Sequence, residues 1–111
     1  MAVDNFKMLH QSQIGTTAGA LYTVPANHET IIKGITLVNN DSEALWVTLF
    51  HTTGTTYTEA TRILPLITML AGGFGEFDGT ITMDAADIIG GDAEQASEIT
   101  ITIYGDEIDV S

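Results

Sequence analysis

Glu29–His51 reads ETIIKGITLVNNDSEALWVTLFH: two runs rich in Ile, Leu, Val and Thr around the polar stretch Asn39–Asn40–Asp41–Ser42–Glu43. β-Branched residues favour pleated positions, and Asn, Asp and Ser serve turns by bonding to nearby backbone, so the stretch predicts an antiparallel hairpin. In the first arm Ile32 and Ile35 are three apart, whereas Ile35 and Leu37 are in step. A bulge at Lys33–Gly34 restores the phase, putting Ile32, Ile35 and Leu37 on one face and Lys33 in water. The second arm offers Leu45, Val47 and Leu49 to one side and Trp46, Thr48 and Phe50 to the other. A strand with bulk on both faces is central in a two-layer structure, or is covered by something else such as another subunit.

Working outward, the 111 residues suffice for one domain with its own core. Thr, Ile and Val together supply 35 of them, an extreme enrichment in strand formers. The absence of cysteine leaves no disulfide framework or thiolate chemistry, so a metal would need oxygen or histidine ligands. Met1 to His10 lacks the apolar run of a signal peptide, and Ile63 to Ala71, interrupted by Pro65, is too short to span a membrane as a helix. The formal charge of −12 is uneven: residues 73–111 hold ten acidic side chains and no basic one. Such a surface repels phosphate backbones, which speaks against nucleic acid as a partner and fits a basic protein or divalent cations. Mean hydropathy is nevertheless slightly positive, +0.20, as expected of a dense β core or of a homo-oligomer.

In chain order, residues 1–20 predict an N-terminal arm, with Phe6–His10 as a short edge strand, and residues 21–111 a single domain. Leu21–Val24 forms a strand stopped by Pro25, and Pro25–His28 a turn. The Thr-rich tract after His51 is a loop or a polar edge strand; Ile63–Leu70 follows, with Pro65 favouring an edge. Gly72, Gly73 and Gly75 make a turn, and Ile81 and Met83 point inward from the next strand. In residues 84–98, Asp84 and Asp87 suggest a capping box, but Gly90–Gly91 would cut a helix too short, so a turn around Ile88 and Ile89 is expected. Ile99, Ile101 and Ile103 alternate with Thr100, Thr102 and Tyr104 in the clearest strand, closed by Gly105 and Asp106. Six to eight short strands without crossover helices predict an all-β, two-layer antiparallel sandwich of jelly-roll type.

Candidate sites are few. His10, His28 and His51 are scattered, without metal-ligand spacing. Asp84, Asp87, Asp92 and Glu94 form the densest carboxylate cluster; their spacing departs from the EF-hand loop, so a solvated acidic loop is expected ahead of a calcium site. The serines sit in no GxSxG elbow and the glycines in no nucleotide-binding context, which argues against an enzyme and implies no cofactor. Trp46, Phe50, Tyr57, Phe74, Phe77 and Tyr104 are the candidate interface residues, Trp46 and Phe50 foremost, because aromatics concentrate at subunit contacts. Aromatic rings also stack on sugars, so a carbohydrate-binding module for host attachment is the alternative of a different class.

Leu21 to Asp41, LYTVPANHETIIKGITLVNND, resembles the opening of small β-sandwich virion proteins of tailed bacteriophages. In those a Tyr-Thr-Val-Pro-Ala turn precedes an Ile-Ile-Lys-x-Ile strand and an Asn-containing turn. The matching residues are Tyr22, Thr23, Val24, Pro25, Ala26, Ile31, Ile32, Lys33, Ile35 and Asn39. Later, Ala86–Asp87–Ile88–Ile89 stands where the pattern has Gly-Asp-x-Ile, and Ile99 to Gly105 matches its last strand. The resemblance implies a non-enzymatic virion part: a head decoration or cement protein, or a tail, neck or fibre-base component. Its partners would then be the major capsid protein or tail proteins, and a homotrimer is the favoured state because it suits local three-fold points of a shell.

Overall fold

The computed structural model describes residues 6–111, and its strands are those that an Ile- and Thr-rich chain makes. They are β1 Phe6–Gln13, β2 Gly19–Thr23, β3 His28–Asn39, β4 Leu45–Thr52, β5 Arg62–Met69, β6 Phe74–Phe77, β7 Ile81–Met83, β8 Ile88–Ala93 and β9 Ile99–Asp109. One sheet has the order β1-β9-β3-β6, with β7 also on β3, and the other has the order β2-β8-β4-β5. The pairing is nested: β4 with β5, β3 with β6 and β7, β2 with β8, β1 with β9. Rolling this long hairpin brings β3 against β9 and β4 against β8, which is a jelly roll, as expected from the sequence.

The inner faces follow the alternation. Ile32, Ile35, Leu37, Ile99, Ile101 and Ile103 come from the first sheet, and Leu45, Val47, Leu49 and Ile89 from the second, all 2% exposed or less. Burying each such side chain is worth about 1.5–3 kcal/mol relative to leaving it in water. The bulge lies where the phase required it, between Ile32 and Gly34, and Lys33 is exposed. The same bulge explains an extra strand. β7 pairs with Thr30–Ile32 and β6 with Ile35–Val38, and the edge leaves the sheet as Asp78–Thr80 opposite the bulge. One edge position is therefore filled by two short strands.

The hairpin expected over Glu29–His51 is not formed. β3 and β4 lie in different sheets, and Asn40–Ala44 is an arch that carries the chain from one layer to the other. Each arm pairs with a strand remote in sequence, β3 with β9 and β4 with β8, because only those partners complete the inner face. Ile88 and Ile89 are not in a turn either: they begin β8, a central strand. Its glycines admit close neighbours. A β-carbon on Gly90 would come 2.4 Å from the Tyr57 ring and 2.8 Å from the Gly19 carbonyl oxygen. β9 runs through Gly105 and Asp106 to Asp109 instead of closing there, and a β-carbon on Gly105 would lie 2.2 Å from the Ile31 carbonyl oxygen.

The expected edge strand at Phe6–His10 is present and extends to Gln13 along β9, and Ile14 after it is fully buried. The described part of the expected arm is thus joined to the first sheet and the core; residues 1–5 of that arm lie outside the described residues. Pro65 sits in the edge strand β5, where no further ladder needs its missing N–H. The Thr-rich tract after β4 is a connection with one 3-10 turn, Glu59–Thr61.

Candidate functional site

The six aromatic candidates divide into two groups. Phe50 is 3% exposed although it points away from the core, because the β4–β5 connection folds over it. Tyr57 meets its ring edge-on at 5.7 Å, and the Arg62 guanidinium lies 5.8 Å from its centroid. Phe77 packs against the core. These three rings are engaged within the chain. Trp46, opposite Thr68 on the outer face of the second sheet, and Tyr104, opposite Met8 and Gly34 on the outer face of the first, stay partly open. Phe74, opposite Val38, is 65% exposed. Of the open rings, Trp46 is on the second sheet, whereas Phe74 and Tyr104 are both on the first.

Both lysines are paired with acids of β9. Lys33 Nζ lies 2.9 Å from Asp106 and Lys7 Nζ 3.8 Å from Glu107. Burial pushes the Asp92 carboxyl up from its ordinary range, and Arg62 beside it pulls partly the other way. Between the layers, the Tyr22 hydroxyl on β2 donates to Glu107 on β9 at 2.6 Å and lies 2.8 Å from the Thr30 hydroxyl on β3. Burial, and then the Glu107 hydrogen bond, raise the Tyr22 phenol to about 12. No spacing rule links these three residues; only the fold brings them together.

The four carboxylates considered for calcium are spread along the second sheet. Asp87 accepts the Asp84 backbone N–H at 3.0 Å and closes the β7–β8 turn, in which Ala86 takes φ +72°. Asp92 faces Thr48 across the ladder, and Glu94 accepts the Trp46 N–H at 3.1 Å. Among the described residues no group of three or more His, Asp or Glu side chains is placed to hold a metal ion. His51 Nε2 lies 3.5 Å from Asp87 Oδ2, and His28 Nδ1 lies 2.8 Å from the Ala26 carbonyl. His10 Nε2 and Ser12 Oγ are 2.7 Å apart, and burial lowers the His10 pKa. Among the described residues no carboxylate hydrogen-bonds that ring. A cleft of about 200 Å³, lined by Glu29, Thr30, Met83, Asp84 and Ile108 among others, is smaller than a drug-sized ligand site.

The two ends of the sandwich differ. At one end lie the 14–18, 40–44, 70–73 and 94–98 connections, and buried Asn39 ties the second to the third. Its Nδ2 donates to the carbonyls of Glu43, Met69 and Leu70 at 3.0, 3.1 and 3.2 Å. Its Oδ1 accepts the Asp41 N–H at 2.9 Å, and Asn40 Nδ2 donates to the Glu98 carbonyl at 3.1 Å. Gly73 N–H returns to the Leu70 carbonyl at 2.8 Å, with Gly72 at φ +64°. The turn so fixed displays Leu70 at 75% exposure, the most exposed large hydrophobic residue described. At this end the sequence signals were the polar stretch Asn39–Glu43 and the Gly72–Gly73 turn; Leu70 did not stand out.

No protein-family model matches the sequence, and no curated protein matches it. Among solved structures, a chain from the acid-stable capsid of Helicobacter pylori bacteriophage KHP30 is similar at TM-score 0.56 and 10% identity. That match spans 100% of this chain and 94% of that one. A chain from the Bacillus endospore appendages, described as disulfide-linked pili, is similar at TM-score 0.53 and 16% identity, spanning 100% of this chain and 90% of that one. The likeness is one of fold, and it runs from end to end of the two-sheet sandwich.

Proposed function

We propose that the chain is a non-enzymatic structural subunit of a tailed-phage virion, a head decoration or cement protein that sits on the shell as a homotrimer. The observation that carries this reading is the end-to-end match of its jelly roll to a chain of a phage capsid. The action is mechanical: a rigid sandwich placed across junctions between major capsid protein subunits buries apolar surface there and raises the cost of separating them. Trp46, Phe74 and Tyr104 are the ring faces free for such contacts, and the acidic surface is turned away from packaged DNA. A tail, neck or fibre-base position is the alternative within the same class, with tail proteins as partners.

The test is mechanical too. Heads lacking the protein are heated with and without it, and DNA release is followed; the expected result is cosedimentation with the heads and a higher release temperature. Failure to cosediment overturns the decoration role. A surface-appendage subunit is the second reading, prompted by the pilus likeness, and it predicts open-ended filaments instead of a closed ring. This chain has no cysteine with which to link such filaments by disulfides.

A further inference from the structure

We infer that the Leu70 end of the sandwich is the docking tip, and that its occupant is a basic face of a different protein. The inference rests on the assembly reading above and names the part of the chain that makes the contact.

The tip combines an apolar anchor with charge of one sign. Leu70 is 75% exposed and Phe74, four residues on, 65%. An exposed leucine on a loose loop would collapse onto nearby apolar surface, but here the turn is fixed by the Asn39 amide and the Gly73–Leu70 hydrogen bond. An anchor held in its exposed position loses little conformational freedom on binding. Asp41, Glu43, Glu94 and Glu98 lie on the other connections at the same end. All three Lys and Arg side chains lie elsewhere: Lys7 and Lys33 on the first sheet beside Glu107 and Asp106, Arg62 beside Phe50. This end of the sandwich is therefore acidic without local neutralisation.

That charge selects the occupant. Two copies of this tip facing each other would bring eight carboxylates together, and the chain as a whole, at −12, offers no basic face to a second copy. Like-charge juxtaposition disfavours the homotypic contact, whereas a Lys/Arg-rimmed apolar hollow on another protein is complementary in both respects. Leu70 fills the hollow and the carboxylates meet its rim. Oligomer contacts between copies of this chain then belong to other faces, which leaves the tip free for the foreign surface.

A synthetic amphipathic peptide of alternating Leu and Lys blocks, without Trp, is a probe of that chemistry. It is titrated into the isotopically labelled full chain while backbone amide shifts are followed. The expected result is saturable shifts at Asp41–Ala44, Leu70–Phe74 and Glu94–Glu98, at least tenfold weaker binding for Leu70→Ser, and a shallower salt dependence for Glu43→Gln with Glu98→Gln. Leu70 is mostly in water, so its replacement leaves the fold intact, and an unchanged amide spectrum away from the tip checks this. Shifts centred on the opposite end, or affinity unmoved by Leu70→Ser, overturn the docking tip. They leave the assembly reading to its own test, the heating of heads.

Discussion

Tyr22 and Glu107 join the two layers: the phenol of a second-sheet strand donates at 2.6 Å to a carboxylate of the first sheet. Thr30, fully buried, completes the group. Tyr22→Phe removes the donor and is expected to cost about 1–2 kcal/mol in a denaturant titration. The raised phenol adds a pH signature. A folded-state value of about 12 against the ordinary 10 means that this stability is complete below pH 10 and is lost as pH rises through 12. Thermal midpoints measured across that window should fall more steeply for the wild type than for Tyr22→Phe.

Gly90 and Tyr57 form a matched pair. Gly90→Ala drives a methyl group into the Tyr57 ring and toward the Gly19 carbonyl, and should destabilise by about 1–3 kcal/mol. Tyr57→Ala in the same chain should recover part of that loss, since the ring is one of the two obstacles. Gly105→Ala meets only backbone, at Ile31 and Ile32, and no second substitution of a side chain should rescue it. A double-mutant cycle by chemical denaturation separates the two cases.

These glycines also show where the sequence was legible. The Ile99–Ile103 alternation and the Lys33–Gly34 bulge were readable because each is a local phase relation between apolar residues. β8 was not, because Gly90–Gly91 looks like a breaker until Tyr57, Gly19 and Leu49 are seen packed where side chains would be. The polar residues of the Asn40–Ala44 arch suit a hairpin turn equally well; the choice is made by β9 and β8, far along the chain. Among the aromatic candidates, alternation correctly set Phe50 apart from the core face, but the Tyr57 loop that covers it carries no periodic signal.

Ala86 occupies the left-handed region at φ +72°, in the position where the resembled pattern carries glycine. Ala86→Gly should relieve that strain and stabilise the protein by roughly 0.5–1 kcal/mol, the added chain entropy of glycine offsetting part of the gain. A rise in thermal midpoint checks it.

Asp92 is a carboxylate that burial opposes. Its raised folded-state pKa means that the ionised form weakens the fold above that value and that the penalty disappears as pH falls below the ordinary carboxylate range. Asp92→Asn is therefore expected to raise the thermal midpoint at neutral pH, with the difference from wild type closing in acid. Differential scanning calorimetry across pH 3–7 reads this window, taken from the ordinary carboxylate value of about 3.9.

Asn39→Ala leaves the carbonyls of Glu43, Met69 and Leu70 without their shared donor. A loss of at least about 2 kcal/mol is expected. Amide exchange in residues 70–73 should accelerate more than exchange at the opposite end, because the same amide fixes the Leu70 turn.

The trimeric decoration role is tested most directly by the oligomeric state. Light-scattering mass of the purified chain at physiological salt should give a closed particle of about three times 11.8 kDa. A mass of one chain at every concentration measured, or open-ended growth with concentration, contradicts the trimeric decoration subunit proposed here.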